Sequence, residues 1–231
     1  MLLIPFSATK AFRDGWSAFN LNAGSLVGFT VLATVVLAAL QAIQYGLLSA
    51  SIRNFSEIGQ FDLGISILSF AFALFQAIIG LIISIALLDG SLLSVRRKRI
   101  SLPDLFSKIA EVPNLIGLHL FGGIAVFLGF LTFVLPGIYL AVAYVFAGMA
   151  LVDKPQSFVD TLNLSRRMIT PYWFDISLFL AVVAGIIVLG YLACLVGGFV
   201  SVPVGYCMIA AAYQQLLTIG NESNHANTAE H

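Results

Sequence analysis

Charged side chains are scarce in this chain: 11 Lys and Arg and 11 Asp and Glu stand among 231 residues, 10% of the total. Soluble globular domains carry about 25%, so the polar surface needed to cover a water-soluble core is missing. The charges cancel to a formal zero, which supplies no bulk field for nucleic acid or an acidic partner. Cysteine is nearly absent. Cys194 and Cys207 both sit in apolar context and are expected to be small, buried, reduced thiols rather than a disulfide or a metal site. The sequence holds no Gly-rich phosphate loop, His-Glu-x-x-His, Cys-x-x-Cys or Gly-x-Ser-x-Gly elbow, the short signatures that place phosphate, zinc or a nucleophile. Its apolar runs contain no acid or Lys of the kind a proton-coupled carrier uses. No catalytic residue, cofactor or metal is expected.

What the chain has instead is apolar length: 60% of its residues are hydrophobic. A helix needs roughly 20 apolar residues to cross about 30 Å of hydrocarbon. The spacing predicts six crossings at about 24–50, 63–88, 114–134, 137–152, 176–197 and 199–219. The fold class is therefore all-α and polytopic, a single transmembrane domain over 1–220 with a polar tail, 221–231, that has no apolar anchor and is expected to be mobile. Residues 1–6 are apolar but short, and Lys10, Arg13 and Asp14 follow them, the reverse of a cleavable signal. Insertion is expected through the first retained helix.

Two breaks rest on length. The charge-free stretch 114–152 is too long for one crossing, and Pro136-Gly137 suits a tight turn between two short spans. A re-entrant loop at Pro136 is the competing arrangement. The stretch 176–219 divides at Gly197-Gly198, with Pro203 following.

Orientation follows from the cations. Lys10 and Arg13, then Arg96, Arg97, Lys98, Arg99 and Lys108, then Lys154, Arg166 and Arg167 all fall on one side of this topology; only Arg53 falls on the other. The positive-inside rule places that side, and both termini, in the cytoplasm.

A short amphipathic segment precedes each odd-numbered crossing. Ser101-Leu-Pro-Asp104 opens one, with Leu102, Leu105, Phe106 and Ile109 at helical spacing; Ser157-Phe-Val-Asp160 opens another. Both read as capping-box-like starts. Ser7-Ala-Thr-Lys10 opens the first without the acid. Three such units predict parallel helical-hairpin repeats about an axis along the membrane normal, with interfacial helices at the headgroup level.

The candidate contact residues for lipid headgroups or a partner are Arg96, Arg97, Lys98, Arg99, Arg166 and Arg167, because polybasic segments attract an anionic leaflet. The plainer role of the 96–99 run is to anchor and orient the chain. Asp160 and Arg167 lie seven apart, near one helix face, and are expected to pair with their neighbours rather than to catalyse. Asp89 and Asp175 fall at helix ends where water reaches them. His119, Gln41 and Gln44 form the candidate intramembrane polar site; His119 could instead reach the headgroups, and the glutamines could bond a neighbouring helix. Gly24-x-x-x-Gly28 matches a helix-packing motif, and Tyr172 and Trp173 an interfacial aromatic belt.

Residues 133–174 carry a family likeness. Leu135-Pro136-Gly137-Ile138, Leu151-Val152-Asp153-Lys154, then Ser157, Leu162, Ser165, Arg167 and Trp173 resemble the YciC-type bacterial inner-membrane proteins, and the layout is similar to the membrane domain attached to some glycerophosphodiester phosphodiesterases. The resemblance implies a multi-pass envelope protein to which no catalytic residue can be carried over, since those phosphodiesterases keep their catalytic acids in a separate soluble domain. The expected function is a non-enzymatic inner-membrane accessory factor associated with the envelope or its lipids. The expected partners are anionic membrane lipids, with a protein partner or a second copy of the chain as further candidates and no nucleic acid. A transporter of a small molecule or lipid is the alternative.

Overall fold

The computed structural model describes residues 5–58, 62–154, 156–193 and 195–229, and every regular element among them is helical. Helix α1 runs Ala8–Ile58 and bends at Asn22, whose φ of −128° and ψ of 23° are not helical. Helix α2 is Leu63–Val95. Two 3-10 turns, Leu102–Phe106 and Ile109–Glu111, lead into α3, Val112–Thr132. Then come α4 (Val134–Ala143), α5 (Ala147–Asp153), α6 (Phe158–Ile169), α7 (Trp173–Ala193) and α8 (Gly198–Ala229). Six stretches are long and apolar enough to cross a membrane, so the chain is an all-α, multi-pass membrane protein. Cys194 lies outside the described residues.

The helix starts follow from local chemistry. Asp62 accepts the Ile65 N–H at 3.1 Å at the head of α2, satisfying a donor that has no partner within the helix. The three serines of the expected repeat each stand at the head of a turn, and two of them cap it with the side chain. Ser7 Oγ accepts the Lys10 N–H at 3.3 Å, and Ser157 Oγ accepts that of Asp160 at 3.2 Å. At Ser101 the Asp104 carboxylate accepts both the backbone N–H (2.8 Å) and the hydroxyl (2.6 Å).

The segments that follow these caps differ. The first is a helix that packs into the bundle: Ala11 and Phe19 are buried, and Phe12 meets the ring of Phe179 at 4.8 Å. The second is a pair of 3-10 turns. The third, α6, stacks Phe158 on Phe121 at 4.8 Å, and its buried Ser165 donates to the Ala143 carbonyl at 2.7 Å. That hydroxyl satisfies a carbonyl at the end of α4 that the helix leaves open. Of the expected apolar stripe before α3, Leu105 is fully buried while Leu102, Phe106 and Ile109 are exposed.

Pro136-Gly137 is not the turn. The chain reverses at the single extended residue Phe133 (φ −163°, ψ 152°), and Pro136 and Gly137 lie in the first turn of α4, where a missing N–H costs little. Gly137 is required by close approach: a Cβ there would overlap the Phe130 ring, and one at Gly129 would stand 3.0 Å from the Gly137 Cα. The expected fourth crossing is itself divided between α4 and α5. Likewise Pro203 breaks nothing; it lies inside α8. The same helix continues through Ala229, so the backbone of 221–229, expected as a tail, is helical.

Helix α8 is the centre of the fold, in contact with α1, α2 and α7. The main core gathers Leu26, Ile85, Leu151, Phe179 and Cys207, all nearly inaccessible. Beyond Ala33 no described side chain of α1 is buried, and before Ile85 only Ser69 of α2 is. Large apolar side chains such as Leu48, Phe70 and Leu74 are therefore exposed along this hairpin. That pattern is ordinary for a surface facing hydrocarbon.

Helix α2 ends in a Schellman motif. The Lys98 N–H donates to the Leu93 carbonyl and the Arg97 N–H to that of Ser94, both at 3.0 Å. The motif puts Arg97 at φ 60°, the one non-glycine residue with positive φ among the described residues. Glycine usually holds this position, and another L-residue costs roughly 1–2 kcal/mol there. Arg97→Gly is expected to raise stability by about 1 kcal/mol, read as a higher melting temperature in detergent.

Candidate functional site

The basic run 96–99 is not one patch but a tethered loop whose members do different things. Asn22, at the bend of α1 and only 6% exposed, holds it. Its Nδ2 donates to Ser94 Oγ (3.0 Å) and to the Lys98 carbonyl (2.9 Å), and its Oδ1 accepts the Ile100 N–H (3.0 Å). Ser25 Oγ adds a bond to the Ile100 carbonyl at 3.0 Å. An amide side chain can donate and accept at once, which is what a loop with both kinds of open backbone group needs. Asn22→Ala is expected to cost about 1–3 kcal/mol, since it leaves a buried N–H without a partner. Faster tryptic cleavage within 96–99 is the accompanying readout.

Arg96 is drawn inward. Its guanidinium pairs with Asp153 at the end of α5, whose side chain is 5% exposed. Tyr213 Oη donates to the other Asp153 oxygen at 3.2 Å. With its amide oxygen turned to the guanidinium, Gln214 accepts from Arg96 Nε at 2.9 Å and Nη2 at 2.8 Å. Residues from α2, α5 and α8 thus meet in one polar node, and each charged group in it has a partner. A buried carboxylate is tolerated on that condition.

Three other cations of this region, Arg97 not among them, border a cleft of roughly 360 Å³. Lys98, Arg99 and Lys108 line it together with Asp89, Asp104 and Ser107. Asp89, on the last turns of α2, is 6% exposed and accepts from Ser107 Oγ at 2.8 Å. No ion pair among the described residues engages Lys98, Arg99 or Lys108. The segment Leu102–Glu111 therefore has two sides: Asp104, Ser107 and Lys108 face the cleft while Leu102, Phe106 and Ile109 stand exposed beside it. Such a strap can hold a polar group and rest its apolar side in a bilayer interface.

The remaining expected residues are dispersed. Arg166 and Arg167 are exposed on α6 and do not line the cleft. The Asp160 carboxylate accepts from the hydroxyl of the cap residue Ser157 at 2.7 Å, and no ion pair among the described residues joins it to Arg167. His119 Nδ1 bonds the Leu115 carbonyl of its own helix at 2.9 Å. Gln41 accepts from Gln76 Nε2 of α2 at 2.7 Å, and the buried Gln44 Oε1 has no hydrogen-bond partner among the described residues. No hydrogen bond among the described residues joins His119 to either glutamine. Gly24 and Gly28 face open space, so the motif they form packs nothing within the chain. Trp173 lies beside Tyr139, ring centroids 6.2 Å apart. No group of His, Cys, Asp and Glu among the described residues could hold a metal ion.

Sequence reasoning missed Asn22, the Asp153–Tyr213 contact and the cleft-lining role of Asp89 and Ser107. Asn22 carried one visible signal, an amide at the head of an apolar run. No family model, curated protein or solved structure matches this chain.

Proposed function

We propose that this protein is a non-enzymatic component of the bacterial inner membrane, with both termini in the cytoplasm, that holds phospholipid headgroups at its basic face as a lipid-associated accessory factor of the envelope. The observation that supports this reading is the cleft: three cations that form no ion pair among the described residues border it, next to exposed Leu102, Phe106 and Ile109. Cations at the headgroup level attract phosphate by about 1 kcal/mol each, and apolar neighbours keep the strap in the interface. The likeness to YciC-type proteins belongs to the same proposal and adds no reaction to it. Native mass spectrometry of gently extracted protein tests it. Phospholipid should stay bound, and the triple variant Lys98→Gln, Arg99→Gln, Lys108→Gln should lose it with topology unchanged. Equal retention by the variant would contradict the reading.

A carrier reading has one observation in its favour, the Gln44 Oε1 in an apolar hairpin, unpartnered among the described residues. Uptake that disappears in Gln44→Leu would support it.

A further inference from the structure

The cleft contains more than a phosphate site requires. Lys98, Arg99 and Lys108 supply three positive charges, and Asp89 and Asp104 return two negative ones. A site built for a phosphodiester alone gains nothing from carboxylates on its wall. Asp104 has a local duty, since it accepts from the Ser101 N–H and hydroxyl. Asp89 has no such duty: it is 6% exposed, its hydrogen-bond partner is the neutral Ser107, and among the described residues no ion pair engages it, with Lys108 acting on it only through space and Arg96 committed to Asp153. A buried carboxylate is costly without a charge-assisted bond, and the cations of the cleft make none with Asp89 among the described residues.

We propose that the cleft recognises a phosphoethanolamine group, with the phosphate held by Lys98, Arg99 and Lys108 and the primary ammonium by Asp89, assisted by Asp104. This rests on the lipid-headgroup reading above and names its ligand class. A primary ammonium offers three N–H donors to carboxylate oxygens and makes charge-assisted bonds, which a quaternary choline nitrogen cannot. The volume of roughly 360 Å³ is at the small end of ligand sites, about 300–1,000 Å³. It therefore suits a headgroup, and the acyl chains would lie outside against Leu102, Phe106 and Ile109, which are exposed beside it. The same chemistry could arrive as a membrane phospholipid or as a free phosphoethanolamine ester.

The test uses the full chain in nanodiscs of phosphatidylcholine doped equally with phosphatidylethanolamine and phosphatidylglycerol, with bound lipids counted by native mass spectrometry. The wild type should retain phosphatidylethanolamine over phosphatidylcholine by about tenfold, the scale of one charge-assisted contact. Asp89→Asn should abolish that preference while phosphatidylglycerol stays bound, whereas Lys108→Gln should weaken both. Ser107→Ala, which keeps the Asp89 charge, should preserve the preference and guards against a fold that fails in Asp89→Asn. Added glycerophosphoethanolamine that displaces the lipid supports the same recognition with a soluble ligand; lipid that resists it supports a membrane source. Equal retention of ethanolamine and choline lipids, with phosphatidylglycerol preferred, would overturn the ethanolamine assignment and leave the lipid reading standing. No retained phospholipid at all would overturn both.

Discussion

Replacing Asp153 with alanine is expected to destabilise the protein by about 2–4 kcal/mol. The carboxylate is 5% exposed and carries two partners from other helices, the Arg96 guanidinium and the Tyr213 hydroxyl. Its removal leaves a cation directed into a pocket with only Gln214 to receive it. Breaking a fully buried pair costs about 3–5 kcal/mol; the value here is discounted because the Arg96 side chain keeps 40% of its exposure. The double variant Arg96→Met, Asp153→Leu should lose much less than the sum of the single changes, because it removes both charges together. Unfolding in detergent micelles, compared across the four members of the cycle, checks this. A loss under about 0.5 kcal/mol in Asp153→Ala would show the pair to be a surface contact without weight.

Gly15→Val should be at least as damaging, at about 3 kcal/mol or more, and by a different mechanism. Helices α1 and α8 cross at this glycine. A Cβ on it would lie 2.5 Å from the Met208 Cα and 2.8 Å from its amide nitrogen. Backbone atoms cannot move aside as a side-chain end can, so the helices must separate and expose the core to which Phe19 of α1 and Cys207 of α8 belong. Gly24→Val and Gly28→Val are the controls, since nothing lies within 4 Å of a Cβ at either site. Each should shift stability by no more than about 0.5 kcal/mol. The contrast is informative because Gly24 and Gly28 form the recognisable motif and Gly15 belongs to none.

The six apolar stretches were legible in the sequence because the bilayer sets a length that a one-dimensional count can find. The serine caps were legible too, since a cap and its N–H lie three residues apart. What joins distant parts was not. Asn22 bonds backbone groups 76 and 78 residues away, and its one local signal, an amide at the head of an apolar run, is shared with Asn20. Arg96 looks like its three neighbours until Asp153, 57 residues on, is brought to it. The run of four cations is therefore one structural charge followed by a strained Arg97 and two cleft residues, a division that composition cannot express. Pro136-Gly137 shows the opposite error. Both residues are favoured in turns, whereas the chain uses one for the first turn of a helix and the other for close packing against Phe130.

The central claim is that a phospholipid phosphate occupies the cleft rather than being shared among all the cations of the basic face. Solid-state nuclear magnetic resonance measures this directly, as the dephasing of side-chain nitrogen signals by lipid phosphorus, with the protein in bilayers of phosphatidylethanolamine and phosphatidylglycerol. Strong dephasing at Lys98, Arg99 and Lys108, with little at Arg96, is the expected result. Dephasing spread evenly over Arg166 and Arg167, or absent from the three cleft cations, would contradict it.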